Sequence, residues 1–214
     1  MVRSAVLGAT LLALTTTPAI SAAADDEGWI SLFDGATLEG WRVSEHPDSA
    51  SVQDSVIVLA GPRAHVFYVG DVQNHDFKDF ELKLEVLAKP GANSGVYFHT
   101  EYQDEGWPSR GYEAQVNNTQ SDWRRTGSLY GIEDVKESPV KDDEWWEYHL
   151  LVEGKRIVLT VNGQTTVDYT EGEDVKRPED MKGRLLSSGT IALQCHDPGS
   201  EVHYRNIRIK PIVE

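Results

Sequence analysis

Apolar and polar residues alternate with a period of two through most of this chain, and that pattern limits its possible folds more than any other feature. In Phe80–Val86, for example, Phe, Leu, Leu and Val alternate with Glu, Lys and Glu. Successive side chains of a β-strand point to opposite faces, so the alternation predicts strands with one buried face. No stretch of helical length shows the 3.6-residue apolar stripe of an amphipathic helix. The sequence therefore predicts an all-β fold.

Seven segments are the strongest strand candidates: Phe80–Leu87, Ser94–His99, Gly111–Asn117, Trp145–Val152, Arg156–Val161, Gly189–His196 and Glu201–Lys210. Gly154 and the pair Asn162-Gly163 separate neighbouring candidates with the residues that tight antiparallel hairpins require. Many short antiparallel strands in a chain of this size are typical of a single-domain sandwich or jelly roll. The charged, Pro-containing segment 169–188 is interpreted as a surface excursion, in which residues 177–186 could form a short helix.

The first 24 residues have the composition of a secretory signal peptide. Arg3 precedes an apolar run at residues 5–14, and small residues follow up to Ala24. The run is shorter than the roughly 20 apolar residues that a membrane-spanning helix needs. We therefore expect cleavage near Ala24, export to the periplasm or the medium, and a single domain over residues 25–214 without a membrane span.

The charge balance bears on possible partners. The chain carries 20 Lys and Arg against 35 Asp and Glu, a net charge of −15. Such a surface repels phosphate backbones, so we expect no nucleic-acid partner.

Cysteine and tryptophan positions predict parts of the core. Cys195 is the single cysteine, which excludes an internal disulfide. Its place in the alternation puts it on the core side of its strand, as a buried and inert thiol rather than a catalytic one. Trp41 and Trp145 lie in apolar strand contexts and are assigned to packing.

Three candidate strands share an unusual polar face. Opposite their core residues lie Tyr97, His99, Glu113, Gln115, Asn117, Gln194 and His196. Amides, imidazoles and a phenol offer directional donors and acceptors, which suit a ligand rich in hydroxyl groups. Trp107, Trp123 and Tyr130 lie in the loops flanking the Glu113 strand, where flat rings could stack on sugars. We interpret this face as a binding site for a small oligosaccharide; the alternative is a buried polar network with a structural role.

Several motifs, in order and over residues 28–212, resemble the 3-keto-disaccharide hydrolase family. They are Ile30–Gly35, Leu38–Trp41, Asn93–Phe98, Gly111–Gln115, Gly127–Tyr130, Gly189–His196 and Val202–Ile209. The resemblance implies a concanavalin A-like jelly roll that acts on 3-keto glycosides. The chain departs from the family's usual residues at His99, where the family has Arg, and at Asn117 and Cys195, where it has acids.

The residues themselves bear on the chemistry. A retaining glycosidase needs two carboxylates about 5 Å apart, but Glu113 is followed on its face by the amides of Gln115 and Asn117. Double displacement is therefore disfavoured. The resemblance implies instead that a C3 ketone acidifies the C2 hydrogen, so that one base begins an elimination that hydration completes.

Within that chemistry His196 is the candidate base, and Glu113 is the candidate acid or a ligand of a divalent ion. The other polar and aromatic residues of the face and its loops would bind the substrate. A metal requirement, the glycoside and its anomer stay open. The competing hypothesis is a non-catalytic carbohydrate-binding module, which would show the same aromatic and amide face.

Overall fold

Two antiparallel sheets are formed by the thirteen strands of residues 27–212, the part of the chain that the computed structural model describes. The predicted signal peptide and its cleavage site lie outside the described residues. The strands are β1 (Ile30–Ser31), β2 (Trp41–Val43), β3 (Ala50–Gln53), β4 (Val56–Ala60), β5 (Ala64–Tyr68), β6 (Phe80–Ala88), β7 (Ser94–Thr100), β8 (Tyr112–Val116), β9 (Trp146–Glu153), β10 (Arg156–Val161), β11 (Gln164–Thr170), β12 (Thr190–Cys195) and β13 (Glu201–Pro211). Short 3₁₀ turns lie at Pro47–Ser49 and Glu179–Met181, and Val72–His75 is an irregular turn in which Gln73, Asn74 and His75 have positive φ.

The larger sheet has the order β11-β10-β9-β6-β13-β4-β3, with β1 paired to β13, and the smaller sheet has the order β2-β5-β12-β7-β8. This arrangement confirms the predicted single jelly-roll sandwich. All seven predicted strands are present, and their ends differ by at most one residue from the prediction. The hairpin predictions are confirmed as well, because Gly154, Asn162 and Gly163 all adopt the positive φ of tight turns.

The core lies between the two sheets. Leu82, Leu84 and Val86 of β6 face Val96 and Phe98 of β7 within one cluster of buried apolar side chains. Burying a side chain of this size contributes about 1.5–3 kcal/mol to folding. The alternate residues of β7, β8 and β12 therefore point away from the core, onto the outer face of the smaller sheet.

The two tryptophan assignments have different outcomes. Trp41 is buried, and its Nε1 donates a hydrogen bond of 2.7 Å to the carbonyl oxygen of Leu32. The assignment of Trp145 to the core is wrong: β9 begins one residue later, so Trp146 is buried instead. Trp145 is half-buried beneath the Arg205 guanidinium, which lies 3.9 Å from its ring centroid.

Segment 171–188, which we call the 171–188 loop, is not simply a surface excursion. Its helical content within the described residues is the single 3₁₀ turn Glu179–Met181 rather than a helix over 177–186. It crosses the outer face of the smaller sheet and brings Arg184 into a buried position there.

Across residues 27–212, helices with the length and apolar character needed to cross a bilayer are absent.

Cys195 should resist thiol reagents in the native protein. It is 2% exposed, its Sγ lies 3.4 Å from the carbonyl oxygen of Gly61, and burial raises its pKa to about 11. Thiolate is the reactive form, so labelling at pH 8 should be negligible until denaturant is added. Intact-mass measurement of the folded and denatured protein checks this; rapid labelling of the folded protein would contradict the core position.

Candidate functional site

A cavity of about 620 Å³ opens on the outer face of the smaller sheet. Strands β7, β8 and β12 lie side by side beneath it, and loops cover its rim. The side chains that carry its chemistry are Tyr97, Glu113, Gln115, Gln194 and His196 from the strands and their ends, with Trp107, Tyr130 and Arg184 from the loops.

Glu113 lies at the floor of this cavity and is only 4% exposed. Tyr97 Oη donates to its Oε2 at 2.8 Å, Arg184 Nη2 donates to the same oxygen at 3.2 Å, and Gln194 Nε2 donates to Oε1 at 3.1 Å. Burial raises the pKa of Glu113, although Arg184, Tyr97 and Gln194 act in the opposite direction. The carboxyl group is therefore able to hold a proton in a range where an exposed glutamate has lost it.

Gly95 makes this arrangement possible. A Cβ atom at Gly95 would lie 2.5 Å from Glu113 Oε1, so a side chain there would displace the carboxylate. With no side chain on that position of β7, the carboxylate of β8 reaches across it to Gln194 on β12. Gln115 lies opposite Gly95, and in the amide orientation that satisfies its neighbours its Nε2 donates to Ser94 O and Glu113 Oε1.

His196 forms a second polar centre in the cavity. Its Nδ1 lies 2.6 Å from Asp197 Oδ2, and that carboxylate also accepts hydrogen bonds from Gly199 N and Ser200 Oγ. Burial opposes ionisation of Asp197, but the hydrogen bonds outweigh it and lower the pKa of Asp197. Asp197 is thus an acceptor for the Nδ1 proton, which leaves the lone pair of His196 on Nε2. An imidazole held in this way is able to accept a proton at Nε2.

The 171–188 loop holds Arg184 in place through a second arginine. Arg177 Nε donates to the carbonyl oxygen of Arg184 at 2.9 Å, and its Nη2 donates to the hydroxyls of Tyr112 and Tyr169 at 2.8 Å each. Tyr112 in turn donates to Glu171 at the start of the loop. Sequence reasoning missed Arg184 because it lies in a charged segment without strand periodicity.

Seven of the ten predicted site residues line the cavity: Tyr97, Trp107, Glu113, Gln115, Tyr130, Gln194 and His196. The three others lie outside it. His99 has a φ of +55°, and its ring is buried beside Phe80 with Nε2 donating to Lys78 O and Nδ1 accepting from Ser187 N.

Asn117 and Trp123 belong to the loop after β8 rather than to the cavity. Asn117 Nδ2 donates to the carbonyl oxygens of Asp122 and Arg124, so its amide closes that loop. Trp123 is 49% exposed, and the Arg124 guanidinium lies 4.8 Å from its ring centroid. Neither departure from the family pattern noted above, at His99 or at Asn117, therefore reaches the cavity wall.

The donor set of the cavity does not suit a divalent cation at Glu113. Both carboxylate oxygens already accept hydrogen bonds, and a metal ion there would face the Arg184 guanidinium. Within residues 27–212, no three His, Cys, Asp or Glu side chains gather as metal ligands. The residues that line this cavity therefore do not fit a divalent metal ion.

His65 on β5, to which the sequence assigned no role, lies beside the cavity. It is 0% exposed, and its ring centroid lies 5.5 Å from that of Tyr97 and 5.6 Å from that of Trp107. Among the described residues, neither ring nitrogen has a hydrogen-bond partner. Burial lowers the pKa of His65 to about 3, so the imidazole is neutral at physiological pH.

This neutral histidine should make the fold sensitive to acid. Between pH 6.5 and about 3 the unfolded chain protonates His65 and the native chain does not, so stability is lost as pH falls through that window. The slope is at most about 1.4 kcal/mol per pH unit. From pH 7 to pH 4.5, wild type should therefore lose about 2–3 kcal/mol more unfolding free energy than His65→Leu. Urea titrations at both pH values check this, with exposed His75→Leu as control; equal losses in wild type and His65→Leu would contradict it.

Comparisons with known proteins agree with this architecture. The family model for a 3-keto-alpha-glucoside-1,2-lyase-like domain matches residues 28–210. A protein of Bacteroides thetaiotaomicron named 3-keto-disaccharide hydrolase is 26% identical, over 87% of this chain and 79% of its own length. A Parabacteroides distasonis crystal structure, provisionally described as a glycosyl hydrolase, has 23% identity and a TM-score of 0.71 over 87% of this chain and 95% of its own. A Bacillus subtilis carbohydrate-binding module has 12% identity and a TM-score of 0.56 over 80% and 95% of the two chains. At these identities, the two structures show likeness of fold alone.

Proposed function

The chain belongs to the 3-keto-alpha-glucoside-1,2-lyase-like domain family, and we propose that it cleaves 3-keto glycosides, in particular 3-keto disaccharides, outside the cytoplasm. The observation that carries the proposal is one cavity lined by both the largely buried Glu113–Arg184 pair and His196, whose Nδ1 contacts Asp197. The name of the Bacteroides relative supports the substrate class. The composition of residues 1–24 supports export.

The proposed reaction is an elimination followed by hydration. A ketone at C3 acidifies the hydrogen at C2, and a base removes that proton to give an enolate. The enolate electrons form the C1=C2 double bond as the C1–O bond breaks, and the leaving oxygen takes a proton. Water then adds across the double bond, with its hydroxyl on C1 and a proton on C2, and gives the free 3-keto sugar.

We assign the proton removal to His196. Its lone pair is on Nε2, and Asp197 holds this tautomer and stabilises the imidazolium that forms. The raised pKa of Glu113 suits a general acid that protonates the leaving oxygen. When Glu113 carries its proton, the Arg184 guanidinium has no carboxylate to neutralise and stabilises the enolate oxygen instead. Tyr97 Oη is a second donor in the same low-dielectric setting.

The buried charges favour an enzyme over a binding module. Stacking rings and amides suffice to bind a sugar, whereas a buried ion pair costs desolvation free energy that a hydrophobic pair of similar volume avoids. The Arg184 side chain is 12% exposed and that of Glu113 is 5% exposed. A reaction that creates and removes charge accounts for both groups.

The decisive experiment is an activity screen. Purified protein is incubated with 3-ketosucrose and 3-ketotrehalose, and with unoxidised sucrose and trehalose as controls, in the presence and absence of chelator. We expect release of the free 3-keto sugar from the oxidised substrates alone. Wild type that turns over no 3-keto glycoside, even with added divalent metal, would reject the enzyme and favour the carbohydrate-binding module.

Arg177 should act on turnover through Arg184. Arg177→Met removes the donor to the Arg184 carbonyl oxygen and both tyrosine contacts, so the guanidinium in the cavity loses its position. We expect kcat to fall by about ten- to a hundred-fold with a small change in KM, because mispositioning weakens transition-state contacts most. Arg156→Met, which breaks the exposed pair with Asp168, is the matched control. Equal kcat values for the two variants would contradict the positioning role.

A further inference from the structure

Two neighbouring side chains on the outer face of the smaller sheet bury polar atoms without partners. They are His65, with both ring nitrogens, and Gln194, with Oε1, and within residues 27–212 no hydrogen bond reaches any of these atoms. The two residues are register partners on β5 and β12, so their side chains lie on the same face. Gln194 Nε2, by contrast, donates to both Tyr97 Oη and Glu113 Oε1. Buried polar atoms nearly always have hydrogen-bond partners, so three neighbouring buried polar atoms without one point to a bound ligand.

Trp107 covers this place. Its ring centroid lies 5.6 Å from that of His65 and 5.1 Å from that of His196, and the residue is 43% exposed. A large apolar ring therefore stands partly in solvent while polar atoms are buried next to it, the reverse of the usual arrangement. The Arg63 guanidinium lies 5.0 Å from the centroid of the Trp107 ring, and Gln103 Nε2 donates to the Trp107 carbonyl oxygen at 2.9 Å. Rotation of the indole would break the contact with Arg63 but leave the backbone hydrogen bond intact.

We propose that Trp107 is a movable cover over a second sugar subsite, in which a neutral pyranose stacks on the indole and its hydroxyls bind His65 and Gln194 Oε1. The inference rests on the proposed function and deepens it: the subsite adjoins His196, the proposed base, so it would hold the leaving-group sugar. Trp107 lines the main cavity, which makes the two spaces continuous once the ring turns.

The hydrogen-bonding capacity of the His65 ring nitrogens and Gln194 Oε1 also indicates which class of sugar the subsite would bind. A neutral imidazole offers one donor and one acceptor, and an amide oxygen offers acceptors. Sugar hydroxyls donate and accept, so they match this set. A uronate carboxylate only accepts, so it would bind the imidazole N–H but lie against Gln194 Oε1, and the nearby guanidinium groups of Arg63 and Arg184 are already paired with Glu45 and Glu113. The subsite should therefore take a neutral hexose and reject a uronic acid.

Binding of unoxidised sugars tests this without relying on 3-keto chemistry. Dissociation constants for trehalose and methyl α-glucoside are measured by tryptophan fluorescence and calorimetry on the full chain, for wild type, His65→Leu and exposed His75→Leu. We expect wild type and His75→Leu to bind trehalose about tenfold more tightly than methyl α-glucoside, a factor worth about 1.4 kcal/mol. His65→Leu should lose that advantage and keep its affinity for methyl α-glucoside. A glucuronic acid-containing disaccharide should gain no advantage in wild type.

Thermal unfolding gives a second, ligand-free readout. His65→Leu should melt at or above the wild-type temperature, because it breaks no hydrogen bond. His99→Leu, which removes two hydrogen bonds from the other buried histidine on this sheet, should melt lower. A fall in Tm for His65→Leu as large as that for His99→Leu would overturn the proposal by showing that His65 is partnered inside the free protein.

Two results of the binding experiment would also overturn the proposal: equal affinity of wild type for trehalose and methyl α-glucoside, or no binding of either sugar. If one of these results overturned the subsite while wild type still turned over 3-ketotrehalose, the proposed function would stand.

Discussion

His196→Ala should lower kcat for 3-ketotrehalose by about a hundred- to ten-thousand-fold while leaving substrate affinity largely intact. Loss of a positioned general base typically costs that factor. His196 Nε2 carries the lone pair because Asp197 binds the proton on Nδ1. Asp197→Asn should lower the rate as well, since it removes the charge that supports the imidazolium.

Single-turnover kinetics measure the chemical step of this variant directly. Circular dichroism and the melting temperature control for folding, and a dissociation constant for unoxidised trehalose controls for binding. A His196→Ala rate near that of active wild type would remove His196 from the mechanism and leave the family assignment untouched.

Glu113→Gln should cause a loss of similar size, about a hundred- to ten-thousand-fold in kcat, through the acid step. The substitution keeps the shape of the side chain but removes the transferable proton. Because burial raises the pKa of Glu113, wild-type activity should fall as pH rises through that pKa and the acid loses its proton. Glu113→Gln should lack this alkaline decline in whatever activity remains.

The matched comparison is Gln115→Ala, on the same face of β8. An amide holds substrate but transfers no proton near neutral pH, so this variant should raise KM more than it lowers kcat. Paired pH–rate profiles for the two variants and wild type check both statements. Retention of the wild-type alkaline limb in Glu113→Gln would contradict the acid role.

The strand-borne half of the site could be predicted from the sequence because a period of two fixes which side chains share a face. Glu113 and Gln115 lie on one side of β8, Gln194 lies on the same face of the sheet on β12, and His196 lies one residue beyond the end of β12. The same rule placed Cys195 in the core correctly. Alternation carries this much information because a shift by one residue would exchange core and solvent faces throughout a strand.

Prediction failed where the backbone departs from regular strand geometry and where loop contacts decide the position of a side chain. His99 continues the alternation in sequence, but its positive φ turns the side chain toward Phe80 and away from the cavity. Asn117 lies one residue beyond β8, where loop contacts decide the orientation of its amide. Arg184 follows no period at all, because the hydrogen bonds of Arg177 and the folding-back of the loop bring it to Glu113.

The division of the site between sheet and loops gives its two halves different resistance to local unfolding. Gln194 sits on β12, which pairs with β5 and β7, and Glu113 sits on the edge strand β8, which pairs with β7, so freeing either strand requires opening of the smaller sheet. Trp107 and Arg184 lie on segments held by a few side-chain contacts, and such segments open at a small fraction of the global free energy. If the proposed roles hold, selection or engineering is able to alter the loops, and with them the choice of leaving group, while Glu113 and His196 keep their places at the sheet.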